Sequence, residues 1–237
     1  MRSSIRAAYT EFSQSAGPIL KLMERVQIEA PQAMRDSGLL AQHNTIQLGS
    51  VVLLSGFLES FLRSACEAYF AELLSKGYGM GRLCPSYLET HLREGAGHLA
   101  DLVKREVKRK NSLTDSSAFV RRLVAPIVDA TKSPVWEAFA RTQGNPSPDV
   151  VKAVLSGLEI KGGFDAISQA LKGKYSASTV AGLLKNLNDI RNECAHTGTT
   201  SNVPQPSSII DLVQFTRYLT LGISRLIDLK ITELTKP

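Results

Sequence analysis

The run Arg191-Asn192-Glu193-Cys194-Ala195-His196 gathers three side chains suited to acid–base work on a phosphate ester. An imidazole, with an ordinary pKa of about 6.5, exchanges a proton near neutral pH. A guanidinium is permanently charged and forks onto phosphate oxygens. Asn192 stands four residues before His196, so on a continuous helix the two share a face. Its amide can orient the imidazole or contact a phosphate. Arg191 is five residues from His196, a gap that its long side chain or a frayed helix end must close. These groups suit one reaction class. The histidine moves a proton at a ribose hydroxyl during attack on the neighbouring phosphate, and the arginine stabilises the phosphorane. Neither role requires a metal, and no cofactor is called for. Positioned acid–base catalysis is worth roughly 10²–10⁴-fold, and a preorganised charge at the oxyanion about 10²–10³-fold.

The spacing of Arg and His alone carries little. It is expected about 0.25 times by chance in a chain of this composition, against about 0.007 times once Asn follows the Arg. Arg93 and His98 reproduce the bare spacing without the Asn and with Gly95 and Gly97 between them. The bland reading of Arg191 and His196 is a solvated helix end whose cations complement the helix dipole. Cys194 lies two residues before His196, so the two point apart on a helix, and a small packed residue is the simpler reading than an activated nucleophile. His91 and His98 have only Cys84 nearby, too few ligands for zinc.

The chain has 237 residues, 43% apolar and 21% charged, with a net charge of +6. That is ordinary globular composition, ample for one sizeable core. The positive balance favours a polyanionic partner such as RNA. Lys104, Arg105, Lys108, Arg109, Lys110, Arg121 and Arg122 form either a solvated charged face or a track for an RNA backbone. Glu106 dilutes the run, and no aromatic interleaves it to stack on bases. Cys66, Cys84 and Cys194 form no disulfide framework, which suits a reducing compartment. The N-terminus lacks the apolar stretch of a secretory signal, and Glu59 and Arg63 close the most apolar run before it reaches membrane-spanning length. A cytoplasmic protein with no membrane partner is expected.

Helical periodicity runs throughout, and no segment alternates like a strand. Residues 3–27 read as a helix kinked or split at Pro18, with a short helix opening at Pro31. Asn44 is placed to cap a long helix reaching Lys76, whose stripe is Val51, Leu54, Leu58, Phe61, Leu62, Ala65, Tyr69 and Leu73. Gly77, Gly79 and Gly81 end it. Pro85 opens a segment interrupted at Gly95 and Gly97. Further helices are expected over 116–131, 150–155 and 164–171, with a short one around Trp136. Ser178 or Thr179 is placed to cap the helix carrying the motif, and a loop over 197–208 leads into a last helix over 209–234. The fold class is all-α: an up-down bundle of long core helices over about 45–76, 179–196 and 209–234. These belong to a single domain over 1–237, in which 85–170 is a candidate insertion of short helices.

Arg191-Asn192 followed by Ala195-His196 at the end of an amphipathic helix resembles the HEPN superfamily. The long helix bearing Phe57-Leu58-Glu59-Ser60-Phe61-Leu62 is similar to the earlier core helix of its RiboL-PSP-type branch, over about 45–75 and 179–230. The resemblance implies a helical bundle, a homodimer that joins two motifs in one cleft, and metal-independent RNA cleavage. Arg191, Asn192 and His196 are then catalytic, and Glu59 is the polar residue that faces and orients the motif. Glu59 also stands four residues before Arg63, the spacing of a surface ion pair. The resemblance further implies a toxin or antiviral-defence component with an antitoxin or regulatory partner. A non-catalytic RNA-binding or scaffold role is the alternative.

Overall fold

The computed structural model describes residues 1–109, 113–142, 145–197 and 203–236, with 195–197 described by backbone alone. Among them lie eight helices and no strand: α1 (Ser3–Ala33), α2 (Ser37–Ser75), α3 (Pro85–Arg109), α4 (Thr114–Val128), α5 (Pro148–Gly157), α6 (Gly163–Ala170), α7 (Ala177–Thr197) and α8 (Pro206–Leu234). The chain is an all-α bundle, 81% helical.

The centre is α2, which packs against α1, α7 and α8. Its expected stripe, from Val51 to Leu73, is buried at every position. Each such side chain contributes about 1.5–3 kcal/mol relative to exposure. By length and composition α2 could cross a bilayer; in the fold 44% of its most apolar stretch is buried, against α1, α7 and α8. It starts seven residues before the Asn44 cap that the periodicity predicts. The Asp36 carboxylate accepts from the backbone N–H groups of Gly38 (2.9 Å) and Leu39 (3.1 Å), so Asp36-Ser37-Gly38 is a helix start rather than a turn. Gly77, at φ +76°, ends α2 as expected.

Two expected breaks are absent. α1 runs unbroken through Pro18 and Pro31. An internal proline costs about 3 kcal/mol, and burial of Ile5, Phe12, Ile19, Met23 and Val26 outweighs it. α3 likewise runs through Gly95 and Gly97. Here glycine serves close packing: a Cβ at Gly95 would lie 2.4 Å from Leu123 Cδ1, and one at Gly97 2.2 Å from Arg141 Nη1.

The long helices alternate in direction. Phe12 meets Phe61 edge-on at 6.0 Å, and Glu29 meets His43 at 3.2 Å, so α1 and α2 are antiparallel. The Gln47 amide donates to Pro204 O (3.1 Å) at one end of α2. At the other end Ser4 bonds Glu72, and Arg2 bonds Asp228. α8 therefore runs parallel to α2. Tyr175, just before α7, packs edge-on to Phe215 at 5.6 Å, so α7 starts beside the middle of α8 and runs back toward the Gln47 end.

The middle of the chain is docked on this bundle and shares its core. Tyr69 on α2 donates to Tyr87 on α3 (2.5 Å), and Tyr87 donates to Leu158 O (3.0 Å). Burial pushes both phenol pKa values up, so they stay protonated. His91 ties α3 to α4 and to the loop beyond it. Val135 N–H donates to Nδ1 (3.3 Å), which leaves Nε2 to donate to Leu123 O (2.8 Å). A 3₁₀ turn at Trp136–Ala138, where a short helix was expected, packs against α2 and α3.

Candidate active site

The motif occupies the last turns of α7. Ser176 Oγ accepts from Thr179 N–H (3.1 Å) at the helix start, two residues before the expected cap. Val180, Leu184 and Leu187 then bury one face. This fixes the rotation of the helix, and so the direction in which Asn188, Arg191 and Asn192 leave it. These three sit at i, i+3 and i+4, one continuous polar face.

Arg191 and Asn192 are both half-buried, and the Arg191 guanidinium donates from Nη1 to Asn192 Oδ1 (3.1 Å). Asn192 thus orients the arginine. Asn188 Oδ1 is buried and has no hydrogen-bond partner among the described residues. An unpaired buried acceptor costs about 1–3 kcal/mol, so this face retains a demand for a donor. Cys194 is buried, and desolvation, then the Glu193 charge, push its thiol pKa up. It stays a protonated packing residue, as its spacing suggested. The His196 side chain lies outside the described residues.

Glu59 has partners of its own. Its Oε1 accepts from Arg63 (2.5 Å) and from Thr142 Oγ1 (2.6 Å), in a cleft with His98 and Arg141. It forms the i,i+4 pair that its spacing with Arg63 allowed. Because α7 starts beside the middle of α2 and runs toward Gln47, Glu59 stands level with the start of α7. It is about 18 Å along α2 from Gln47, at 1.5 Å per residue. Among the described residues, the hydrogen bonds of Glu59 run to Arg63 and Thr142, where the resemblance implies that it faces the motif.

Toward the Gln47 end of α2 the buried polar residues are His43, Gln47 and Ser50. Gln47 anchors the chain that returns from the motif, through Pro204 O. His43 Nε2 lies 3.2 Å from Glu29 Oε2. Hydrogen bonds from Arg25 and then His43 hold the Glu29 carboxyl below the usual range. The sequence reading missed these residues although the signal was present. His43, Gln47 and Ser50 continue the stripe of Val51, Leu54 and Leu58 at helical spacing, so polar side chains interrupt a buried face. Among the described residues no cluster of His, Cys, Asp or Glu could hold a metal ion.

Searches of curated proteins and of solved structures give no significant match. A model of the RiboL-PSP-HEPN family matches residues 31–229, a span that includes the middle segment as well as α2, α7 and most of α8. With that match over most of its length and an all-α bundle behind it, the chain belongs to the RiboL-PSP-HEPN family.

Proposed function

We propose that the protein is a metal-independent endoribonuclease of a toxin or antiviral-defence type. It acts in the cytoplasm as a homodimer and is restrained by an antitoxin or another regulatory partner. Membership of a HEPN family brings RNA cleavage and nucleotide-related chemistry into the candidate functions. The observation that carries the reading is the polar face at the end of α7, where Arg191 is oriented by Asn192 beside an acceptor on Asn188 that lacks a donor among the described residues. A second chain or the RNA itself would meet that demand.

In this reaction His196, or its copy in the second chain, takes the proton of a ribose 2′-hydroxyl. The oxygen attacks the adjacent phosphorus, and Arg191 stabilises the charge on the phosphorane. The 5′-oxygen leaves with a proton returned by imidazole. The products are a 2′,3′-cyclic phosphate and a 5′-hydroxyl. Arg191→Ala and His196→Ala are each expected to lower cleavage by at least about 10²-fold. Purified wild type and both variants, compared on RNA in EDTA, test this. Equal cleavage by all three removes the motif from the chemistry. No cleavage by wild type in its dimeric form favours the RNA-binding or scaffold role.

A further inference from the structure

We propose that the cleft between α2, α3 and the Trp136 turn is a second RNA subsite. In it one base of a single strand stacks on Trp136, and the flanking phosphates run along Lys104, Arg105, Lys108 and Arg109. The inference builds on the RNA reading of the α7 motif but concerns a different place on the molecule. The cleft has a volume of about 750 Å³, the size that takes a nucleotide-sized ligand.

Charge matching inside the cleft points to an anion. Each acid lining it already has a cation: Glu59 has Arg63, Asp101 has Arg141 at 2.9 Å, which it shares with Glu94, and Glu137 has Arg122 at 2.6 Å. Lys104 and Arg105 also line the cleft, both exposed, and the described ion pairs leave them unmatched. Lys108 and Arg109 follow one turn later on α3, about 6 Å on, and are exposed too.

The fold removes the two objections that the sequence raised to a nucleic-acid track here. Glu106, the acid within the run, is buried and turned under α3. Its carboxylate accepts from the N–H groups of Asp115 (2.8 Å) and Ser116 (3.2 Å) at the start of α4. The outward face is therefore more purely cationic than the sequence order suggests. The missing aromatic is supplied from elsewhere in the chain: Trp136, half-buried, lines the same cleft as Lys104 and Arg105. An aromatic platform beside a cationic groove is how proteins hold single strands without reading sequence.

Trp136 is the only tryptophan in the chain, so its emission reports on this cleft alone. The test titrates the His196→Ala protein, whose substitution leaves RNA intact, with an eight-nucleotide oligouridylate, with UMP and with inorganic phosphate. Labelled-RNA anisotropy is read in parallel. Expected are saturable quenching by the octamer and much weaker binding of UMP and phosphate. In the double variant Lys104→Ala/Arg105→Ala, whose changed residues are exposed and leave the core untouched, affinity falls about tenfold. The slope of log affinity against log salt falls by about 1.4, the loss of two single-strand phosphate contacts. Octamer binding that leaves Trp136 emission unchanged overturns the proposal, as does wild-type affinity in the double variant. UMP or phosphate saturating as tightly as the octamer overturns the strand claim. Binding is read without turnover, so a protein that binds here yet never cuts RNA fails the nuclease reading alone.

Discussion

Arg191 and Glu59 separate two kinds of information that a motif carries. Arg191 and Asn192 are adjacent in the chain, so their contact at 3.1 Å needs only a helix, although the sequence directs the Asn192 amide to the imidazole or a phosphate. Glu59 depends on which level of α2 the end of α7 reaches. That level is set by a distant hydrogen bond, Gln47 to Pro204, and by Tyr175 packing on Phe215. No local spacing encodes it. The consequence is testable: Glu59→Gln should change RNA cleavage by less than about threefold, the size of an ordinary surface effect, while Arg191→Ala removes at least about a hundredfold. Equal losses in a side-by-side rate measurement would return Glu59 to the motif's chemistry. The same dependence on tertiary contacts hid His43 and Gln47, whose hydrogen bonds run to Glu29 on α1 and to Pro204 before α8.

Elements were readable wherever an apolar stripe repeats, and misread wherever glycine or proline serves packing. The stripe of α2 was legible residue by residue because its burial follows directly from 3.6-residue periodicity. Pro18, Gly95 and Gly97 resemble breaks in sequence, yet none breaks a helix, because the contacts that reward continuity come from other elements. Gly79 shows the cost of ignoring such contacts. A Cβ there would sit 2.3 Å from Thr131 O and 2.7 Å from Ala130 O, both backbone atoms that cannot rotate away. Gly79→Ala should lower stability by about 1–3 kcal/mol or more in urea unfolding, and an unchanged midpoint would contradict the packing described. Tyr87→Phe should cost about 1–3 kcal/mol, since Leu158 O loses its donor and the Tyr69 hydroxyl its acceptor. His91 gives the middle segment a pH dependence. Burial holds its pKa below the ordinary 6.5, so below about pH 6.5 the unfolded chain binds a proton that the folded chain does not. That contribution is complete above pH 6.5 and is lost as pH falls from there toward the lowered folded value. A His91→Gln variant should show a shallower fall in stability between pH 7 and 5, measured by denaturant titration at each pH.

At the scale of the whole molecule, α2 organises two faces. Its N-terminal end, with His43 and Gln47, lies at the level of the α7 motif. Its middle, with Glu59 and Arg63, walls the cleft that holds Trp136. The middle segment lines that cleft, and its buried residues belong to the same hydrophobic core as those of the bundle. The all-α class was legible from composition and periodicity. The cleft was not, because Lys104, Trp136 and Glu59 come from three separate elements. Metal-free transesterification at the α7 motif is tested most directly by the chemistry of the RNA ends left by the wild-type protein in EDTA. The expected ends are 2′,3′-cyclic phosphate and 5′-hydroxyl, and they vanish with His196→Ala. Ends carrying 3′-hydroxyl and 5′-phosphate, or cleavage that persists in the variant, would contradict it.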